Sequence, residues 1–345
     1  RIAPRDHFDT ADRLRGLFSK LTGAGDPERI ALIPAASYGM ATVARNLHRW
    51  PGLDSKKHIV LMGEDFPTQM YAFERECLQH GLTVKIVEKP ESVEGRGASW
   101  NERLLEAIDA DTAVVVASAV HWIYGTVFDL EAVGRRCREA GAMLVVDGTQ
   151  SAGMLPFDIG AVQPDALICA AYKWLLGPYG TGLAYFGPFF DEGVPVEETW
   201  LNREESDQFG RLTRYLRAYR PKAQRYNAGE FSQFGQLPML EVALQQLLDW
   251  GAAELQEYCR CLVEPAIDHW QELGCRLETP AYRAAHLFGL TLPDRADNER
   301  LLQLLSEHRV FVALRGGGSL RISPNIYNDA ADIAALTETL RKGLG

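Results

Sequence analysis

Two polar residues stand just after apolar runs whose length and composition predict buried strands. Lys173 lies just beyond the run ALICAA (166–171), and Asp147 follows the run MLVV, with Gln150 three residues further along. In parallel α/β sheets, ligands bind beyond the carboxyl ends of the strands. If the two strands are neighbours, a lysine and a carboxylate therefore meet at one edge of the sheet.

These two residue types together suggest one particular chemistry. A lysine amine forms an imine with an aldehyde, and a carboxylate holds a pyridine nitrogen protonated, so Lys173 and Asp147 match a pyridoxal phosphate site. The glycines of YKWLLGPYGTG (172–182) would let the backbone pack closely against such a ligand. Taken singly, each feature has a plainer alternative: a solvated surface lysine, an aspartate that caps a turn or helix, or an ordinary turn into the next strand.

Residues 143–186 resemble the class V aminotransferase family of fold type I pyridoxal phosphate enzymes. In that family a D-x-x-Q or D-x-x-H element precedes a lysine that is reached through a short strand. Three further segments resemble the family in the same order. They are FPTQMYAFERECLQHG (66–81), similar to a kynureninase stretch beginning FPSDxY; VHWIYGTVFDL (120–130), similar to the V-H-aromatic segment of the same group; and RISPNIYN (321–328), similar to the carboxyl-end signature R-x-(S/A)-P-x-x-YN.

The resemblance implies a role for each residue that matches a functional position of the family. Lys173 would hold the cofactor as an internal aldimine, Asp147 would pair with its pyridinium nitrogen, and Gln150 would reach its ring hydroxyl. Phe66 would stack on the ring with its flat apolar face. The other cofactor positions would be Ser118 in the wall of the site, Tyr172, Ala36 and Ser37 at the phosphate, and Trp200, Ser232 and Gln233 from a region further along the chain.

For some of these positions the residues themselves support the implied role or allow a different one. The segment PAAS, with Ala36 and Ser37, lies between a predicted strand and a predicted helix, where free backbone N–H groups favour anions, although a plain helix N-cap fits equally. Trp200 matches a kynureninase tryptophan that reaches the phosphate across a dimer interface, and a core or rim aromatic is its alternative. Ser232 and Gln233 match a Ser-Asn pair, with glutamine in place of asparagine. The resemblance thus implies a homodimer with a shared active site.

The candidates for substrate binding lie mainly near the carboxyl end. Arg321 would grip an α-carboxylate, because a planar guanidinium donates two parallel hydrogen bonds to it; a surface arginine on a strand is the alternative. Arg315 is a second candidate cation, and the glycines at 316–318 predict a mobile lid or a tight loop near the substrate. His121 would either bind substrate, by stacking or moving protons, or be a satisfied structural histidine.

Strand-like and helix-like runs alternate from residue 8 to residue 186. This alternation predicts an α/β fold with a mostly parallel sheet flanked by helices, and apolar runs such as TAVVVAS (112–118) predict strands buried on both faces. The resemblance implies the fold type I architecture, with a seven-stranded sheet. After about residue 237 the pattern predicts a smaller α+β unit. We expect a large cofactor-binding domain over 1–240 and a small carboxyl-terminal domain over 241–345.

Composition argues against several classes of protein. The net charge of −10 leaves no basic excess to neutralise phosphates, so nucleic-acid binding is not expected. Six cysteines without a C-x-x-C pair match neither a zinc site nor a disulfide framework, so we expect no metal and a cytoplasmic protein with reduced cysteines. No apolar run of about 18 residues occurs, so no membrane span is expected. The numbering begins at Arg1 rather than at methionine, which leaves a preceding leader open.

An α-amino acid is the expected substrate, because an imine between its amine and the cofactor weakens every bond to Cα. The released Lys173 amine would remove the Cα proton to give a quinonoid. We predict a lyase or an aminotransferase, with an epimerase of the same family or a non-catalytic pyridoxal-binding domain as alternatives. A cofactor-free Schiff-base aldolase is disfavoured by Asp147 and the phosphate segment. Residues 308–320 contain no cysteine, which disfavours the persulfide route of cysteine desulfurases, although Gln150 resembles their residue.

Overall fold

A seven-stranded sheet forms the centre of the protein in the computed structural model, which describes residues 3–316 and 318–345. Its strands are β1 (Ile30–Ile33), β2 (His58–Met62), β3 (Thr83–Val87), β4 (Thr112–Ser118), β5 (Met143–Asp147), β6 (Ala166–Ala170) and β7 (Gly182–Phe186). Their order is β1-β7-β6-β5-β4-β2-β3; β7 is antiparallel to both β1 and β6, and the other described pairs of this sheet are parallel. The predicted mostly parallel sheet is confirmed.

Helices cover both faces of this sheet and continue through the carboxyl-terminal part. They are α1 (Asp6–Thr22), α2 (Ala36–Asn46), α3 (Pro67–His80), α4 (Arg96–Ala107), α5 (Leu130–Ala140), α6 (Ile159–Val162), α7 (Leu237–Trp250), α8 (Ala252–Glu272), α9 (Asn298–Glu307) and α10 (Ala330–Leu344). Gly81 and Gly141, at φ 66° and 64°, end α3 and α5 where the sequence predicts, because glycine adopts this left-handed conformation at little cost. Over the described ranges, no helix is both long enough and apolar enough to cross a membrane.

The central strands are buried on both faces. Every residue of β4 and β5 is buried. One apolar core, which includes Trp100 and Leu240, lies between the sheet and α1, α4, α5 and α7, and another, which includes Met40 and Phe73, lies under α2 and α3. Because both faces are covered, continuous apolar runs encode these strands, as the sequence predicts.

A second sheet lies in the carboxyl-terminal part of the chain. Its antiparallel strands, in the order β8-β10-β9, are β8 (Phe288–Thr291), β9 (Ala313–Arg315) and β10 (Ser319–Ile322). Together with α8, α9 and α10 they enclose a separate core that includes Trp270, Leu301 and Leu336. This antiparallel unit confirms the smaller α+β part predicted from the sequence.

Two helices link the larger unit to the smaller one. α7 packs on α1, and its Leu244 and Leu247 belong to the core of the seven-stranded sheet. Along α8, Cys259 belongs to that same core, whereas Trp270 belongs to the core of the small sheet. We therefore propose that the boundary between the units runs through α8 rather than between residues 240 and 241.

Candidate active site

The carboxyl ends of β5 and β6 open into a cavity of about 260 Å³. Asp147 ends β5 and pairs in register with Ile168, so the two neighbouring strands end close together, and Lys173 follows in the connection to β7. Both side chains line the cavity. The other predicted cofactor residues that line it are Ala36, Ser37, Phe66, Ser118, Gln150 and Tyr172. Three larger grooves, of about 590, 550 and 430 Å³, lie elsewhere on the surface and share none of these residues.

The amine of Lys173 lies near two aromatic rings. Its Nζ is 5.4 Å from the ring centroid of Phe66 and 5.8 Å from that of Tyr172. Burial lowers the pKa of Lys173 by more than the carboxylate of Asp147 raises it, and the charge of Arg321 lowers it further. A larger share of the amine is therefore neutral than in a free lysine, and the neutral form is the nucleophile that forms an imine.

The carboxylate of Asp147 is fixed by two donors. The backbone N–H of Thr149 donates to Oδ1 at 2.9 Å, and Nε2 of Gln69 donates to Oδ2 at 3.2 Å. The same Gln69 nitrogen donates to Oγ of Ser118 at 3.0 Å, whereas Oε1 of Gln69 is buried without a partner among the described residues. A carboxylate held in this way is preorganised to receive a proton-bearing group from the cavity.

A second carboxyl group, Asp65, lies in the wall of the cavity close to Asp147. It accepts hydrogen bonds from Oγ of Ser118 at 2.8 Å and from the backbone N–H of Phe66 at 2.8 Å. Burial and the charge of Asp147 raise the pKa of Asp65 to about 7, although its hydrogen bonds oppose the shift. Asp65 therefore changes charge near neutral pH, and Ser118 and Gln69 link it to Asp147.

We expect the charge of Asp65 to make the cofactor-free protein less stable at high pH. The unfolded chain releases this proton near pH ~4, whereas the folded protein holds it up to about pH 7. Stability therefore falls as pH rises between these values and recovers as pH is lowered again. Asp65→Asn should flatten this dependence and raise the free energy of unfolding by about 1–3 kcal/mol near pH ~8, as measured by urea titration.

Asp111→Asn is the matched control for this prediction. Asp111 is a partly exposed acid that pairs on the surface with Lys57 at 2.7 Å, and such pairs contribute little to stability. Its replacement should leave most of the pH dependence intact. If Asp65→Asn shows the same pH profile as the unmodified protein, Asp65 does not hold its proton as described.

The N-terminus of α2 forms another wall of the cavity. Ala35 precedes this helix without a side-chain cap, and the N–H groups of Ala36 and Ser37 donate to no acceptor among the described residues. The first turn of a helix carries partial positive charge, which favours a phosphate. The ring of Tyr172 lines the same cavity and stacks on Tyr179, with ring centroids 4.0 Å apart. These donors fit the phosphate of a cofactor whose aldehyde reaches the lysine.

Gln150 and Phe66 suit a pyridine ring. Nε1 of Trp174 donates to Oε1 of Gln150 at 3.0 Å, which leaves the side-chain amide nitrogen to donate to a ligand. Phe66 is 39% exposed and lines the cavity with its ring. A lysine, a carboxylate, an amide donor, a flat apolar ring and free N–H groups together meet the needs of pyridoxal phosphate, so the residues fit this cofactor.

His121 is not brought to the cavity, and its predicted role in substrate binding is not supported. Its side chain is fully buried, with Nε2 3.3 Å from the carbonyl oxygen of Gly63 and the ring stacked on Tyr124 at 5.1 Å. Burial lowers the pKa of His121 to about 3, so it stays neutral. These contacts agree with the alternative prediction that His121 is a structural histidine. The next residue, Trp122, lines the cavity instead and meets Phe66 edge-on at 5.6 Å.

Three predicted cofactor residues lie outside the cavity within one chain. Trp200 is 36% exposed and packs on His7, whose backbone carbonyl accepts a hydrogen bond from Oγ of Ser232 at 2.8 Å. Gln233 lines an adjacent cavity of about 180 Å³, which shares Gly180 with the first. Their contact with a cofactor across a dimer interface stays a prediction.

Arg321 lies on β10 beside the wall of the cavity. Its Nη1 donates to the backbone carbonyl of Trp122 at 3.3 Å. Arg315 ends β9. Of the glycines predicted as a lid or tight loop, Gly316 and Gly318 lie in the turn between β9 and β10, and residue 317 lies outside the described residues.

Several cavity residues were not predicted from the sequence. They are Asp65, Thr68, Trp122, Thr149 and Tyr179 in the wall, with Gln69 behind Asp147. Some signals were present: Asp65 precedes Phe66, Gln69 stands where the similar FPSD stretch has aspartate, and Trp122 adjoins His121.

Comparison with known proteins decides the family. The profile described as Aminotransferase class-V matches residues 6–336. The chain belongs to the class V aminotransferase family. As a class V aminotransferase it is an enzyme of the pyridoxal phosphate-dependent class, which confirms the predicted family and cofactor.

Individual members of the class V aminotransferase family show how far the similarity extends. The chain is 25% identical to the uncharacterized aminotransferase YcbU of Bacillus subtilis, over 94% of this chain and 81% of that protein. It is 30% identical to a kynureninase of Pseudomonas fluorescens, over 60% of this chain and 48% of that enzyme. The structure of the cystine C-S lyase C-DES in complex with cysteine persulfide superposes with a TM-score of 0.81, at 21% identity, over 98% of this chain and 88% of that one. This likeness confirms the fold type I architecture.

Proposed function

We propose that this class V aminotransferase acts on an α-amino acid as a lyase or an aminotransferase. The observation that carries the proposal is the convergence of Lys173 and Asp147 from neighbouring strand ends on one cavity. Pyridoxal phosphate, when bound, supplies an electron sink that weakens the bonds at the substrate Cα. Relatives that process small amino-acid molecules support the substrate class.

In this proposal each residue around the cavity has a separate role. Lys173 binds the cofactor aldehyde and then moves a proton at the substrate Cα, for which its lowered pKa keeps part of the amine neutral. Asp147 keeps a proton on the ring nitrogen. Phe66 and Trp122, packed edge to face, cover the ring and exclude water. The phosphate and the ring hydroxyl are held by Ala36, Ser37 and Gln150.

The cysteines support two further parts of the proposal. None of the described residues that line the cavity is a cysteine, so a persulfide carried by this chain is not part of the proposed reaction. All six cysteines are unpaired, and five of them are buried. Unpaired cysteines are typical of reducing compartments, which supports a cytoplasmic location.

A homodimer is part of the proposal. Trp200, Phe209 and Phe234 are 36%, 40% and 47% exposed and surround His7, with ring centroids 5.0 to 6.1 Å from it. A group of exposed apolar side chains in contact with one another is typical of a surface that binds another protein. A second copy that covers this patch would bring Trp200 toward a neighbouring cavity, as the family resemblance implies.

The proposal is tested by spectroscopy and product analysis. Protein mixed with pyridoxal phosphate should develop an absorbance band near the visible edge that survives gel filtration, and individual L-amino acids should shift it. A keto acid formed together with transfer of the amino group to the cofactor or to a second keto acid identifies an aminotransferase, whereas release of alanine, sulfide or ammonia identifies a lyase. A stable band that no amino acid shifts, with no product formed, would instead identify a non-catalytic pyridoxal-binding domain.

A further inference from the structure

Three polar atoms on one face of the small sheet are buried without a hydrogen-bond partner among the described residues. They are Nε of Arg315, Nε of Arg321 and Oγ of Ser319. Ser319 is paired directly with Arg315, and Arg321 lies two residues beyond Ser319 on β10. Directly paired residues, and residues two apart on one strand, point to the same face of a sheet. The three side chains therefore form one cluster.

This cluster faces the larger unit beside the active-site cavity. Gly289 of β8 is paired with Arg321, and a Cβ on Gly289 would lie 2.7 Å from Oγ of Ser319 and 3.1 Å from Cα of Tyr124. The small sheet thus approaches the segment after β4 so closely that glycine is required. Nη1 of Arg321 reaches the carbonyl of Trp122, whose side chain lines the cavity. The cluster consequently adjoins the site of chemistry.

Neither guanidinium in the cluster pairs with a carboxylate of the described chain. Nη1 of Arg315 donates only to the carbonyl of Leu314, at 3.2 Å, and Nη1 of Arg321 donates to a backbone carbonyl. Burial, and to a lesser extent the charge of Arg315, lowers the pKa of Arg321. Two cations thus repel each other at short range, on a chain whose net charge is −10.

Two acids in this part of the fold already have partners. Glu64 lies near the turn at residue 316, but it accepts a hydrogen bond from the hydroxyl of Tyr124 and pairs with Lys89 at 3.8 Å. Glu278 is buried and pairs with Arg96 at 3.4 Å. The chain supplies a counter-ion to the buried Arg96, yet it leaves the two guanidinium groups of the cluster for a ligand.

We propose that the substrate is a dicarboxylic α-amino acid, whose α-carboxylate binds Arg321 and whose side-chain carboxylate binds Arg315. This inference rests on the proposed function, because it names the substrate class of the same site. Diagonal neighbours on adjacent strands lie roughly 7–8 Å apart, a spacing that lets a molecule the size of aspartate or glutamate reach both guanidinium groups. Each carboxylate would accept two parallel hydrogen bonds from one guanidinium.

The same arrangement discriminates against uncharged isosteres. Asparagine and glutamine have the shape of aspartate and glutamate, but the side-chain amide presents N–H donors to a guanidinium that has only donors itself. One carboxylate oxygen would be replaced by a group that cannot pair with Arg315. Charge on the side chain, rather than its length, is therefore the property that this site selects.

The experiment is a spectral titration of the cofactor-loaded protein with L-aspartate, L-glutamate, L-asparagine and L-glutamine. In the unmodified protein at least one acid should bind about 10- to 100-fold more tightly than its amide. Arg315→Gln should remove most of this preference, because it weakens binding of the acids more than binding of the amides, which accept only one hydrogen bond from Arg315. Arg315→Lys should retain part of the preference, because it keeps the charge but loses the planar fork.

Arg300→Gln is the matched control, because Arg300 is exposed on α9 in the same unit, and it should keep the full preference. Equal binding of acids and amides by the unmodified protein would overturn the inference, as would an equal weakening of both classes by Arg315→Gln. Failure of the proposed function is seen separately: the bound-cofactor band would then be missing before any amino acid is added.

Discussion

Lys173→Ala is expected to abolish the absorbance band of the lysine-bound cofactor and to reduce turnover by roughly 10⁴-fold. The amine of Lys173 lies in a cavity that also contains Asp147 and Phe66. Its replacement removes both the covalent attachment and the base that moves the substrate proton. The cofactor should still bind through its phosphate, more weakly and reversibly. Gel filtration followed by absorbance, together with single-turnover kinetics, measures both effects.

Lys20→Ala is the control variant, because it removes a lysine that lies far from the proposed chemistry. Lys20 is exposed near the end of α1, so its replacement should leave the band and the turnover unchanged. A small primary amine added to Lys173→Ala should recover part of the activity, since it can serve as base without being attached. A full, gel-filtration-stable band in Lys173→Ala would show that another residue carries the cofactor.

Asp147→Asn is expected to lower turnover roughly 10²- to 10³-fold and to weaken cofactor binding. An amide has almost the shape of the carboxylate, but it carries no charge to keep the ring nitrogen protonated, so the electron sink is lost. The change also removes the charge that helps to raise the pKa of Asp65. The pH range over which Asp65 lowers the free energy of unfolding should therefore end at a lower pH. Cofactor titration and the pH dependence of unfolding measure these two consequences.

Asp111→Asn again serves as the control, because Asp111 pairs only at the surface with Lys57. It should alter neither turnover nor the affinity for the cofactor. If Asp147→Asn retains full turnover, the neighbouring acid Asp65 would be the partner of the ring. A large turnover loss in Asp65→Asn together with full turnover in Asp147→Asn would complete this reassignment.

The positions of Lys173 and Asp147 at one edge of the sheet were predictable from two apolar runs in the sequence and one general rule about parallel sheets. Continuous apolar runs predict β5 and β6, and ligands gather at the carboxyl ends of parallel strands. The order of the strands then decides whether the two side chains meet, and β5 and β6 are neighbours. Phe66, Ala36 and Ser37 depended instead on the family resemblance, since a lone phenylalanine or a short PAAS segment carries little chemistry by itself.

The sequence leaves two roles open for His121, and only the fold decides between them. It follows β4 by only a few residues, and whether its side chain enters the cavity depends on the path of the turn. In the folded chain the backbone turns so that His121 packs beneath Tyr124 while the adjacent Trp122 enters the cavity. A difference of one residue decides which side chain lines the cavity, and no periodicity encodes it, because side-chain direction in a turn is set by local backbone angles.

Asp65 and Gln69 were missed for a different reason. Their importance arises from contacts between segments far apart in the chain: Ser118 joins Asp65 at 2.8 Å, and Gln69 joins Asp147 at 3.2 Å. A raised pKa depends on burial and on the charge of a neighbour, neither of which is visible in the residues themselves. The cluster of Arg315, Ser319 and Arg321 likewise required the register of β9 and β10.

The antiparallel strand β7 restricts how the segment that carries Lys173 can move. The connection that carries the lysine is closed at its base, where Ala170 pairs with Gly182 and the N–H of Ala171 donates to the carbonyl of Thr181 at 3.0 Å. Both of its strands lie inside the sheet, flanked by β5 and β1. Moving this connection aside would break hydrogen bonds between interior strands of the sheet, so we expect it to stay closed. We therefore expect small molecules to enter on the side of Trp122 and the small sheet, where packed surfaces can slide without breaking strand pairing.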